Sequence, residues 1–124
     1  MLFRTEIHNR FEKRIPEIKN AVNPDVLYAP YMCNDIIATY FGCVEVSALE
    51  SVPDDMTGFH VPLTKYAKVT CTNRTIEEGY SELFGWMKTN GYKQKWLDRS
   101  FPMEIFYMEE GMEEEKVELL IPID

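Results

Sequence analysis

The chain has 124 residues, 45% of them hydrophobic and 13% aromatic, and a formal charge of −8. That length supports one domain, residues 1–124, with a core that needs no metal or disulfide staple. The acidic balance, without any cluster of Lys or Arg, argues against a nucleic-acid face, and the absence of a long apolar run argues against a membrane span.

Taken in chain order, the opening "MLFRTEIHNRFEKR" has no apolar secretory segment. Phe3, Ile7 and Phe11 recur every fourth residue with polar side chains between them, which predicts an amphipathic helix that Pro16 ends or kinks. The stretch "VLYAPYM" is β-favouring, and Pro30 makes an edge strand or a bulge the expectation there. After the polar "CND", the run "IIATYFGCVEVSAL" predicts a second strand in which Gly42 marks a bend or a close approach. "ESVPDDMTG" is a turn-rich loop.

The second half opens with "FHVPLTKYAKVTCT", read as a pair of short extended pieces. "TIEEGYSELFGWMKTNGY" predicts a helix: Thr75 with Glu78 forms a capping box, Ile76, Tyr80, Leu83 and Met87 form a stripe, and Asn90-Gly91 is the stop. A glycine inside that helix, Gly79 or Gly85, would permit close packing on a sheet. "PMEIFYM" and "KVELLIPI" predict a hairpin around the acidic loop "EEGMEEE", whose glutamates lack a Ca²⁺-loop register. Cys33, Cys43 and Cys71 are odd in number without C-x-x-C spacing, so free thiols in a reducing, cytoplasmic setting are expected. The order helix, strand, strand is repeated. The expected fold is α+β, with duplicated helix-strand-strand units forming a curved antiparallel sheet that carries two helices on one face.

Three stretches resemble the GyrI-like (gyrase-inhibitor-like) effector-binding domain, found also as the drug-sensing half of multidrug-responsive transcription regulators. They are "VLYAPYMCND", "FGCVEVSALESVPDDMTGFHVPLTKYAKVT" and the ending "YSELFGWMKTNGY…MEIFYM…VELLIPI". The resemblance covers the chain from about residue 3 onward. Members of that family usually begin with a strand before the first helix; here the helix starts near Met1, so either a mis-called start or an edge covered by a second copy, a homodimer, is the expectation.

Glu104 is the residue that stands out, a carboxylate with apolar neighbours in "PMEIFYM". A buried charge of this kind costs several kcal/mol unless it is paired or protonated. It could lie at a solvent-facing edge, pair with Lys65, Lys68 or Lys95, or meet a cationic ligand between aromatic rings. The resemblance implies the third, a cleft between the two helices with Glu104 as its floor. Glu45, in "GCVEVSA", is taken as the mirror candidate in the first half and shares a strand face with Phe41. Trp86, Tyr28, Tyr31, Phe106 and Tyr107 are candidate walls, but neighbours on a strand point to opposite faces, so Phe106 shares the side of Glu104 in a regular strand and Tyr107 does not.

The expected function is therefore stand-alone binding of amphipathic, cationic or aromatic small molecules, without cofactor or metal. The alternatives are a hydrolase of strained cyclopropane-type electrophiles, with Glu104 as catalytic general base and a tyrosine polarising the substrate, and an acidic inhibitor that binds a basic protein face. His8 and His60 have no third member at a triad spacing and are read as structural or exposed.

Overall fold

A computed structural model describes residues 2–33, 38–50, 52–58, 60–95, 101–109 and 111–123. Its elements are α1 (Leu2–Glu12), a single 3-10 turn at Ile15–Glu17, β1 (Val26–Cys33), β2 (Ala38–Tyr40), β3 (Tyr66–Thr72), α2 (Ile76–Thr89), β4 (Met103–Tyr107) and β5 (Lys116–Pro122). The five strands form one antiparallel sheet in the order β2-β1-β4-β5-β3. The expected turn at Asn34 and Asp35, the strand start at Ile36 and Ile37, and Glu110 of the acidic loop lie outside the described residues, as does the side chain of Phe3.

The register assigns side chains to faces. Ala29 lies opposite Glu104 and Leu27 opposite Phe106, while Glu104 and Phe106 lie opposite Leu119 and Val117 of β5. Ala67, Val69 and Cys71 of β3 complete the same face beside Ile121, Leu119 and Val117. Because strand side chains alternate with a period of two, all of these point to one side. Both helices lie there: Leu83 and Met87 of α2 are buried in this cluster, and Phe11 of α1 packs against it. The α+β architecture with two helices on one face is the one the duplicated pattern implied.

Local chemistry explains several details. The chain ends α2 with Gly91 at φ +76, the Tyr92 N–H donating to the Met87 carbonyl at 2.9 Å and the Gly91 N–H to that of Lys88 at 3.4 Å. This is a Schellman stop, and glycine relieves the left-handed position of its side-chain clash. At the other end Thr75 is the N-cap, but no capping box forms. Its hydroxyl accepts the Thr72 N–H at 3.0 Å instead, tying the helix start to the end of β3.

Two expectations are corrected. Pro30 does not put β1 at an edge; the strand is paired on both sides, by β2 and by β4. The Pro30 carbonyl accepts the Phe41 N–H at 3.1 Å, and the missing proline N–H removes one rung from the short β1–β2 ladder while sparing the longer β1–β4 pairing. The second half opens with one strand rather than two extended pieces, since pairing begins only at Tyr66. Before it, Pro62 lacks a donor and Leu63 is fully exposed.

Gly79 and Gly85 differ in what surrounds them. A methyl group at position 79 would sit 2.9 Å from Leu119 Cδ1 and 3.1 Å from Cys71 Sγ, whereas one at position 85 would meet nothing within 4 Å. Gly85→Ala is therefore expected to stabilise the fold by about 0.5–1 kcal/mol through helix propensity. Gly79→Ala should destabilise it by about 1–2 kcal/mol, since overpacking against two strands exceeds the same gain. Urea melts of the two variants check the sign of each.

Candidate functional site

Glu104 is fully buried, at 0% exposure, on the helix-covered face of the central strand β4. Ala29 on one side keeps the neighbouring strand short of bulk, and Leu119 closes the other. Each of its two oxygens accepts a phenolic hydrogen bond. Tyr40 at the end of β2 donates to Oε1 at 3.1 Å, and Tyr80 of α2 donates to Oε2 at 2.6 Å. The short second bond is what a charged acceptor gives. Neither a solvent-facing edge nor an ion pair with Lys68 describes this carboxylate, because Lys68 sits on the opposite face bonded to Glu118.

The hydrogen bonds extend outward in a determined direction. Tyr80 also lies 2.8 Å from the Tyr31 hydroxyl; its single proton goes to Glu104, so Tyr31 donates to Tyr80. On the other side His8 Nε2 is 2.8 Å from the Tyr40 hydroxyl. Tyr40 likewise has one proton and gives it to Glu104, so the His8 Nε2–H donates to Tyr40. Burial, then the charge of Glu104, then Tyr31 push the Tyr80 hydroxyl far above its ordinary range. It remains a donor throughout the accessible pH range.

Aromatic contacts frame this chain. The His8 ring meets Phe106 edge-on at 4.4 Å and stacks near Tyr40 at 5.8 Å. Tyr31 meets Tyr80 edge-on at 6.5 Å. Beyond Tyr31 opens a cavity of about 500 Å³, lined by Pro30, Tyr31, Met32, Phe41, His60 and Phe101 among others. Tyr31 is thus both a wall of that cavity and a link in the bonds that reach Glu104.

With this geometry in place, a comparison with protein-family models becomes informative: the model for Cass2, the integron-associated effector binding protein, matches residues 3–123. The chain belongs to that family. Cass2-type proteins are effector-binding proteins by description, which suggests a small-molecule ligand. No curated protein matches the chain.

In this Cass2-family chain the remaining candidates are scattered. Phe106 shares the Glu104 face, Phe41 and Tyr31 line the cavity, and Tyr107 points to the other face, as strand alternation requires. Tyr28 also lies on that other face, opposite Ile105 and Cys43, where burial and then the charge of Glu45, itself exposed, raise its hydroxyl above the ordinary value. Glu45 therefore lies away from Glu104 rather than mirroring it. Trp86 is half-exposed and stacks on Tyr92 at 5.2 Å, at the end of α2. The Cys43 thiol is pushed up to about 12 by burial, which makes it an inert packing group. Among the described residues no group of three or more His, Cys, Asp or Glu is placed to hold a metal ion, and no helix is long and apolar enough to cross a membrane.

Sequence reasoning passed over Tyr40 and Glu118, read His8 as structural or exposed, and counted Tyr80 only as part of the α2 stripe. Glu118 is 6% exposed on the face opposite Glu104. It accepts from the Tyr107 hydroxyl and pairs with Lys68 Nζ at 2.8 Å. Burial raises its carboxyl, but Lys68, Tyr107 and Lys116 outweigh that and hold it below its ordinary value. The Glu118 bond, ahead of burial, pushes the Tyr107 hydroxyl up to about 12. A carboxylate with a depressed pKa adds stability above its unfolded value of about 4.3 and loses that contribution as pH falls through the folded one. Lys68→Met is accordingly expected to cost about 1 kcal/mol at neutral pH, modest because the ammonium is half in water. The gap from the parent protein should close as pH falls below the folded-state value, where the Glu118 carboxyl is protonated, as urea melts at neutral and acidic pH can show.

Proposed function

We propose that this chain binds amphipathic organic cations with aromatic or apolar bodies, the body in the cavity beside Tyr31 and Phe41 and the positive charge directed to Glu104. The observation that carries this reading is the join between the two: Tyr31 lines the cavity and is hydrogen bonded to Tyr80, which holds Glu104. A volume of about 500 Å³ falls in the range that accommodates drug-sized ligands. The resemblance to GyrI-like drug-sensing domains supports the same class.

The physics of such binding is an exchange. In the free protein the two phenols offset part of the cost of burying the carboxylate, each contributing a charge-assisted bond. An entering cation that displaces the Tyr31–Tyr80 pair trades those dipoles for a full opposite charge in a water-poor setting, while its rings gain apolar and cation–π contact with the aromatic wall. Anions gain nothing from this exchange.

An acidic-inhibitor role is less well supported, because the loop that would make the contact is engaged with its own chain. Glu114 accepts from the Thr72 hydroxyl at 2.7 Å, and Glu113 pairs with Arg74 at 3.3 Å. Hydrolysis would use the same carboxylate as base toward water, and time-dependent turnover of an electrophilic cyclopropane tests for it.

The binding proposal is tested by calorimetric titration with tetraphenylphosphonium and with its neutral relative triphenylphosphine oxide. Saturable binding of the cation, tighter than that of the neutral compound, is expected. Equal affinity, or no binding of either at millimolar concentration, overturns the proposal.

A further inference from the structure

The cation-binding reading uses Glu104, its two phenols and the aromatic wall, but leaves His8 unexplained. This histidine is on α1, reaches over β4 to contact Phe106, and its Nε2 bonds to the same Tyr40 hydroxyl that donates to Glu104. The two bonds end to end place the imidazole within about 6 Å of the carboxylate. We infer that His8 makes cation affinity at this site proton-dependent, so that the protein holds an organic cation at neutral or alkaline pH and releases it on mild acidification.

The geometry shows how. Tyr40 spends its one proton on Glu104, so Nε2 of the neutral imidazole already carries a hydrogen and donates it to Tyr40. Acidification therefore adds its proton at Nδ1. The hydrogen bonds through Tyr40 need not move, yet a unit positive charge appears beside the carboxylate. That charge competes with the ligand for the same counter-ion. By linkage the effect is reciprocal: a bound cation must disfavour protonation of His8 to the same extent that protonation disfavours the cation. An unperturbed histidine titrates near 6.5, inside the range that cells use as a signal.

Several titratable groups surround His8. Among the described residues, β2 presents Tyr40, β4 presents Glu104, β1 and α2 present Tyr31 and Tyr80 beyond it, and β3 presents Cys71, whose thiol is pushed up by burial and by Glu104. On α1 itself Glu12 is one turn away, with its carboxyl raised by burial and by Glu115. His60 is a second imidazole and lines the outer cavity. Protonation of Glu104 would weaken cation binding in the same direction as protonation of His8. The experiment must therefore separate His8 from both.

The inference rests on the cation-binding reading, and the test distinguishes the two failures. Tetraphenylphosphonium affinity is measured at pH 8.0 and 5.5 in the His60→Gln protein, in the same protein carrying His8→Gln, and in the same protein carrying His8→Lys. The expected result is about a tenfold loss of affinity on acidification with His8 present, a loss at least halved on a logarithmic scale in His8→Gln, and weak binding already at pH 8.0 in His8→Lys. In parallel, the imidazole resonances of His8 in the otherwise unaltered protein are titrated with and without tetraphenylphosphonium; the midpoint should fall by about one pH unit when the cation is bound. This second measurement needs no variant, so it stands even if α1 tolerates neither substitution. Absence of cation binding at pH 8.0 in the unaltered protein defeats the cation-binding reading itself. Binding with the same acid loss in His8→Gln, or a His8 midpoint that the cation leaves in place, defeats the inference alone.

Discussion

Glu104→Gln is expected to weaken tetraphenylphosphonium binding by about a hundredfold, equivalent to ~3 kcal/mol, while leaving binding of triphenylphosphine oxide unchanged within a factor of three or so. The amide has the shape of the carboxylate and keeps one acceptor, so Tyr40 or Tyr80 can still donate to it. The other phenol turns to accept from the new amide group. What disappears is the charge, and a desolvated charge pair broken on one side costs about 2–5 kcal/mol at an interface. Removing a buried charge also removes a desolvation cost, so the stability of the free protein should change by no more than about 1 kcal/mol. Calorimetry and urea melts of the same variant test both halves. Unchanged cation affinity would place the ligand's charge elsewhere, and loss of both ligands would mean that the substitution had altered the cavity rather than its electrostatics.

How much of this was legible in the sequence depends on the kind of relation being read. Local relations were visible: the α2 stripe of Ile76, Tyr80, Leu83 and Met87, its stop at Gly91, and the parity that separates Phe106 from Tyr107. Glu104 itself was conspicuous because a carboxylate in an apolar strand requires an explanation. Its partners were not, since Tyr40 and Tyr80 are separated from it by 64 and 24 positions and reach it only through sheet register and helix placement. Trp86 lies on a flank of the helix, and the left-handed turn at Gly91 brings Tyr92 against its ring, a contact that the helical spacing alone does not reveal.

The treatment of Glu45 as the counterpart of Glu104 fails for a more instructive reason. Glu104 lies on the first strand after α2, whereas Glu45 follows the second strand after α1. By place in the repeat its counterpart is Glu118, on the second strand after α2, and the electrostatics agree: burial and then Glu45 raise the Tyr28 hydroxyl of β1, as Glu118 and then burial raise that of Tyr107 of β4. Each half thus carries a tyrosine–glutamate pair on the face away from the helices. Among the described residues only the second half adds a carboxylate on the helix-covered face, and the position opposite it on β1 is Ala29. The duplication was readable; which strand of each unit should be aligned with which was not, because "CVEV" and "MEIF" are equally good local matches.

Tyr80→Phe should move stability and affinity in opposite directions. The hydroxyl donates the shorter of the two phenolic bonds to Glu104, at 2.6 Å, and a bond to a buried charged acceptor contributes about 1.5–3 kcal/mol. Its loss leaves Oε2 without that donor, so the free protein should be less stable by about 2 kcal/mol. Binding, however, requires the same bond to be broken in the unaltered protein as the cation takes its place. In the Phe variant that cost has already fallen on the free state. Cation affinity is then expected to rise, by about tenfold if half to two-thirds of the stability loss is recovered on binding. Neutral triphenylphosphine oxide has no charge with which to recover it and should bind no better. Urea melts with and without tetraphenylphosphonium read both effects in one series, because a ligand stabilises the folded state in proportion to its affinity. A Phe variant that is less stable and also binds the cation more weakly would show that the Tyr80 hydroxyl stays in place and contacts the ligand, and that the phenols line the bound site rather than guard the empty one.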